Sequence, residues 1–165
     1  QKSPINQSAT FSIFAEIELL ESFFKKNKLA LKKLFCMKKT MKQVKLYPVH
    51  GDLQKQNMVI LNGQLGLIDF ERFMFAPKEL ELCNSLFFDD GNCLDIKSII
   101  NELPKNFINV RMLKLCLEYY MLKQVSLGMN FQEAENRFEL ALKKLKKKED
   151  LLKVLPNHTM ERVFI

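Results

Sequence analysis

The chain has 165 residues, 47% hydrophobic and 27% charged, which is enough apolar material for one compact domain with its own core. No apolar run approaches the roughly 18 residues of a membrane span, and no charged-then-apolar-then-small pattern marks a secretory signal. The net charge of +7 would suit anionic partners. However, the lysines are mixed with Glu, and the densest run, from Lys143 to Lys148, leads straight into Glu149 and Asp150. That pattern reads as a solvated helix face and argues against a nucleic-acid patch.

Residues 1–10 are polar, with Pro4 among them, and read as a linker or entering arm. A chain that opens on Gln1 and not on Met is expected to be a fragment or a processed product. From Phe11 to Lys39, Phe14, Ile17, Leu20 and Phe24 recur at three- and four-residue steps, predicting one helix or two with a break near Asn27. Val44 to Val49 reads as a short extended segment. Met58 to Leu61 and Gln64 to Ile68 flank Asn62-Gly63, the dipeptide favoured where both central turn residues need positive φ, and so predict a β-hairpin.

The remainder reads as helix: Glu79 to Phe88, Leu94 to Leu103 stopped by Pro104, Phe107 to Leu127 stopped by Gly128, and Phe131 to Leu155. Most of the 14 phenylalanines are assigned to core stripes. The expected fold is mainly α with a small β-hairpin. It would be a single helical domain over 11–165, carrying a loop and hairpin at 46–72.

Cys36, Cys83, Cys93 and Cys116 form no C-x-x-C pair, and His50 and His158 are the two histidines. Scattered cysteines of this kind behave as small buried hydrophobes, and a reducing cytoplasmic setting fits them. Nothing in their spacing suggests a structural metal site.

One segment carries a chemical pattern. His50-Gly51-Asp52 is followed by Asn57, five residues after Asp52, and the predicted hairpin then leads to Ile68-Asp69-Phe70-Glu71. Phosphoryl transfer needs a carboxylate to orient the attacking hydroxyl, and hard oxygen ligands to hold Mg²⁺ against the phosphates. Protein kinases place an Asp and an Asn at this same separation and a metal-binding Asp after a short hairpin. With His-Gly-Asp and Ile-Asp-Phe-Glu, the chain resembles the aminoglycoside phosphotransferase and choline kinase family.

The resemblance covers roughly residues 46–83. It implies a protein-kinase-like carboxy-terminal lobe, α+β overall, and an ATP-dependent transferase that phosphorylates a hydroxyl of a small-molecule acceptor. ATP or another nucleoside triphosphate would be the donor, with Mg²⁺ as cofactor. Asp52 would be the catalytic base and His50 a loop-bracing residue. Asn57 and Asp69 would hold the metal and its nucleotide, and Glu71 would support the loop or the metal's waters. Family members often carry a Pro-x-x-Asp-Leu-Ala-like stretch next. Here Pro77 to Cys83 follows, with Glu81 one residue out of step, and no role is assigned to it.

A complete member also has an amino-terminal lobe, a small sheet that covers the nucleotide and supplies a lysine. The five glycines form no glycine-rich loop, and the residues ahead of His50 read as helix. The chain is therefore expected to be the carboxy-terminal lobe alone, with weak or no turnover until the missing lobe is supplied in cis or in trans. The alternatives are a non-catalytic kinase-like scaffold or regulatory partner and, less favoured, a basic nucleic-acid-binding helical domain. Asp89, Asp90, Glu118 and Glu135 are acidic candidates for an acceptor pocket, though each reads more simply as a solvated carboxylate. Tyr119 and Tyr120 either line such a pocket or pack in the core.

Overall fold

The structure, a computed structural model, describes residues 11–88, 99, 103–104 and 107–153, with the side chains of 146–153 outside the description. The arm at 1–10 and most of the helix predicted from Leu94 to Leu103 also lie outside it. Among the described residues no helix is long and apolar enough to cross a membrane.

The first helical stretch is two helices, α1 (Ile13–Phe23) and α2 (Lys28–Met41). Asn27 divides them: its side-chain oxygen accepts from the Ala30 N–H at 3.0 Å, capping α2. Ile13, Ile17 and Leu20 of α1, and Ala30, Leu34, Met37 and Met41 of α2, form the buried stripes. The helix α3 (Cys83–Phe87) is short, α4 (Val110–Ser126) is central, and α5 (Phe131–Lys153) packs along it. α4 also touches α1, α2 and α3, so its buried residues, such as Leu113, Leu117 and Leu122, form the middle of the core. Asn109 caps α4 by accepting from Met112 N–H at 3.1 Å, and Gly128 ends the segment at φ 105°.

Two small antiparallel sheets complete the fold. Strands β2 (Met58–Leu61) and β3 (Gln64–Leu67) form the predicted hairpin, with Asn62 and Gly63 both at positive φ. The other sheet was not foreseen. It joins β1 (Tyr47–Val49) to β4 (Met74–Ala76), with Val49 opposite Met74. The chain start adds to it, Phe75 N–H donating to Phe11 O at 2.7 Å.

Two further expectations need correction. The helix expected from Glu79 to Phe88 starts as a 3₁₀ turn, Lys78–Leu82, and becomes α-helical only at Cys83. Pro77 fixes the entry, and the tighter turn lets Glu79 and Glu81 face different neighbours. Most phenylalanines are not in the core: among the described ones only Phe24 and Phe87 are buried. Aliphatic side chains fill the stripes of α1 and α2, so Phe23 and Phe35, one position off them, face outward.

Candidate active site

The sheet β1–β4 sets the geometry of the segment between its strands. Val49 and Met74 are paired, so the residues that follow β1 and those that precede β4 must lie side by side. Gly51 is where they meet. Its φ is +79°, and a Cβ built there would stand 2.5 Å from the Arg72 carbonyl oxygen. Glycine is therefore required twice over, by backbone conformation and by contact.

His50 and Asp52 are both buried. His50 Nε2 lies 2.8 Å from Ile68 O, and since a carbonyl only accepts, Nε2 is the nitrogen that carries hydrogen. Its Nδ1 is buried without a hydrogen-bond partner among the described residues, and its ring packs on Phe70 at 4.8 Å between centroids. Asp52 is surrounded by donors. Asn84 Nδ2 donates to Oδ1 at 2.5 Å, Gln54 Nε2 to Oδ2 at 3.1 Å, and Asn57 Nδ2 approaches Oδ2 at 3.5 Å. The Arg72 guanidinium stands 3.6 Å away. These contacts fix the carboxylate plane from three different elements.

Asn57 is buried at the end of a short 3₁₀ turn, Lys55–Asn57, and its Nδ2 also donates to the Asp52 carbonyl at 2.9 Å. That contact uses the nitrogen end of the amide and leaves its oxygen available as a ligand. Ile68 N–H donates to Asn57 O at 3.0 Å, so the hairpin returns beside Asn57 and delivers Asp69 one residue later. Asp69 is exposed and left-handed, φ 63° and ψ 65°. Asp tolerates that region better than most residues, but a non-glycine there marks a local constraint. An Asn amide oxygen and an Asp carboxylate are hard donors, and Mg²⁺ typically takes only one or two carboxylates from protein. The donor set fits that ion. Among the described residues no group of three or more His, Cys, Asp or Glu side chains is placed to hold a metal ion.

Sequence reading noted Glu81 without a role and missed Asn84. The Glu81 carboxylate accepts from the backbone N–H of His50 and, at 3.4 Å, from that of Gly51, tying the 3₁₀ turn to the His50–Asp52 loop. Burial pushes its carboxyl above the ordinary value, and the two N–H donors and His50 partly oppose that push. The signal for Glu81 was its position after Pro77. Asn84 had no signal, because an Asn within a helix is a common residue until its partner is known.

Two neighbouring cavities, one of them bordering Asp52, share Arg72, Tyr120 and Gln124 in their walls. One, about 200 Å³, contains Asp52, Gln54 and Asn84; the other, about 280 Å³, reaches to Glu16, Glu71 and Lys123. Tyr119 and Tyr120 do line this space, although both are largely buried in the core. Burial, with Glu16 beside it, raises the Tyr119 hydroxyl well above its usual range. Glu71 lies at the wall of the larger cavity with its side chain 68% exposed. Glu118 pairs with Lys33 at 2.6 Å and Glu135 is exposed, so neither lines the cavities, while Asp89 and Asp90 lie outside the described residues.

No protein-family model matches the chain, and neither curated proteins nor solved structures show a match to it.

Proposed function

We propose that this chain is the helical, kinase-like carboxy-terminal lobe of an ATP-dependent phosphotransferase acting on a hydroxyl of a small molecule. The observation that carries the reading is the buried Asp52 carboxylate, held by Asn84 and Gln54 at the floor of a cavity, with Asn57 on one side. Asp69, in its constrained backbone conformation, follows directly on the hairpin beside Asn57.

In the proposed reaction the acceptor hydroxyl hydrogen-bonds to Asp52. As its oxygen bonds to the γ-phosphorus, the proton passes to the Asp52 carboxylate and the bond from phosphorus to the ADP oxygen breaks. Asn84 and Gln54 keep the carboxylate plane fixed during that transfer. Asn57 and Asp69 would hold Mg²⁺, which when bound supplies positive charge against the phosphate oxygens. His50 and Glu81 act on the loop, not on the substrate: each ties its backbone to a neighbouring element.

The reading includes a nucleotide-covering lobe, in cis or in trans, seated on the β2–β3 hairpin. Its support is the exposed apolar surface there: Ile60, Leu61 and Leu65 are 78%, 71% and 66% exposed. An isolated two-stranded hairpin is marginal in water and gains from being covered. The proposed setting is the reducing cytoplasm, consistent with Cys36, Cys83 and Cys116 being free thiols.

Thermal unfolding with and without Mg-ATP tests the proposal. Saturating Mg-ATP at 100 times its Kd should stabilise the folded chain by about 2.7 kcal/mol. Asp69→Asn should abolish that gain. Asp52→Asn should keep it while lowering phosphoryl transfer, measured with the covering lobe supplied, by about 10²–10⁴-fold. Stabilisation by ATP that is indifferent to Mg²⁺ and to Asp69→Asn would sink the reading.

A further inference from the structure

We propose that the cavity beside Asp52 and the neighbouring one that shares Arg72 with it form an acceptor site for a small hydroxylated molecule that also carries an anionic group, with Arg72 as the clamp for that anion. The inference rests on the phosphotransferase reading and adds the chemical class of its acceptor.

Arg72 ends the turn Phe70–Arg72, three residues after Asp69, and its side chain lines both cavities. Its guanidinium is close to two carboxylates but bonded to neither. Nη1 is 3.6 Å from Asp52 Oδ1 and Nε is 3.9 Å from Glu71, both beyond hydrogen-bond length. No described residue takes a hydrogen bond from it. A guanidinium offers five N–H donors in a planar fork that matches a phosphate or carboxylate with two parallel bonds.

The other charges around the space are committed or turned outward. Lys123 is held closely by Glu16, whose second contact is the Tyr119 hydroxyl at 3.5 Å. Glu71 is mostly in solvent. An ammonium-bearing acceptor would find the Glu16 carboxylate already paired with Lys123, Glu71 mostly in solvent and Asp52 required by the hydroxyl. An anion has a ready partner in Arg72.

The division of the space agrees with this. Asp52 lies in the smaller cavity, with the amides of Gln54, Asn84 and Gln124, which both donate and accept as neighbouring hydroxyls need. The larger cavity lies beyond Arg72 and does not include Asp52. The hydroxylated end of the acceptor therefore belongs with Asp52, and its anion on the far side of Arg72, away from the base. At about 280 and 200 Å³ the two together suit a molecule of sugar-phosphate size.

Calorimetric titration of the full chain with D-ribose 5-phosphate, D-ribose and choline tests the assignment. Ribose 5-phosphate should bind at least about tenfold more tightly than ribose, and choline should not bind. The phosphate preference should vanish in Arg72→Gln and persist in part in Arg72→Lys, while Gln124→Leu should weaken both sugars alike. Tighter binding of choline, a preference untouched by Arg72→Gln, or no binding of either sugar would overturn the proposal. So would displacement of ribose 5-phosphate by Mg-ADP, because the anion site would then belong to the nucleotide. Failure of Mg-ADP to bind, with the Arg72-dependent sugar preference intact, would count against the phosphotransferase reading alone.

Discussion

The two small sheets of this protein each have two strands in antiparallel pairing, yet they stand in opposite surroundings. In β1–β4, Val49, Met74 and Ala76 are buried against the helices. In β2–β3, Ile60, Leu61 and Leu65 face outward. The first sheet closes a long loop and so brings His50, Gly51 and Asp52 against Arg72. The second is an excursion within that loop, and its return beside Asn57 delivers Asp69. One sheet is part of the scaffold that positions the site. The other presents a surface whose apolar side chains the described chain leaves uncovered.

Glycines in the two regions give the largest expected contrast. Gly51 and Gly63 have nearly the same positive φ, 79° and 76°. A Cβ at Gly51 meets the Arg72 carbonyl at 2.5 Å, whereas one at Gly63 meets nothing within 4 Å. Gly51→Ala should therefore cost backbone strain plus a clash, about 3 kcal/mol, and Gly63→Ala only the strain, about 1 kcal/mol. Urea midpoints of the two variants measure this. Equal losses would mean that the close approach of the 50–52 loop to Arg72 is not a feature of the folded protein.

The apolar side chains give the next contrast. Val49→Ala removes methyl groups from a site that is 2% exposed and should cost about 2 kcal/mol. Ile60→Ser, at a site 78% exposed, should change stability by less than about 0.5 kcal/mol. If a covering lobe seats on the hairpin, Ile60→Ser should instead weaken its association, measured by adding that lobe in trans. A large stability loss from Ile60→Ser in the chain alone would show that the hairpin packs within the chain.

The two regions also differ in how far the sequence revealed them. The hairpin was legible because Asn62-Gly63 states a local backbone requirement, and the helix breaks at Asn27 and Gly128 were legible for the same reason. The pairing of β1 with β4 was not. Each is three residues long, and neither has a turn beside it that announces the partner. The candidate site divides in the same way. His50, Asp52, Asn57 and Asp69 stand in one stretch at fixed spacings. Asn84 and Arg72 matter only through tertiary contacts with Asp52, which no local pattern encodes. The outward phenylalanines were misjudged because periodicity finds the centre of a buried stripe better than its edge.

Glu81 offers the smallest and most diagnostic test, because it links the helical body to the loop of the first region. Burial raises its carboxyl above the ordinary value of about 4.3, although two backbone N–H groups favour the ionised form. As pH rises, the unfolded chain releases the Glu81 proton before the folded chain does. The folded state thus binds more protons across that interval, and stability must fall there with rising pH. The Glu81 contribution is fully present below the ordinary value and is lost as pH climbs through the raised one. Glu81→Gln keeps the side-chain length and an acceptor oxygen but does not titrate. Its unfolding free energy relative to wild type should rise as pH climbs above the ordinary carboxyl value and level off once the raised one is passed. A relative stability that falls over the same interval would reverse the balance of forces. The His50 and Gly51 N–H donors would then outweigh burial, and the loop would be held by an ionised carboxylate whose charge the fold favours.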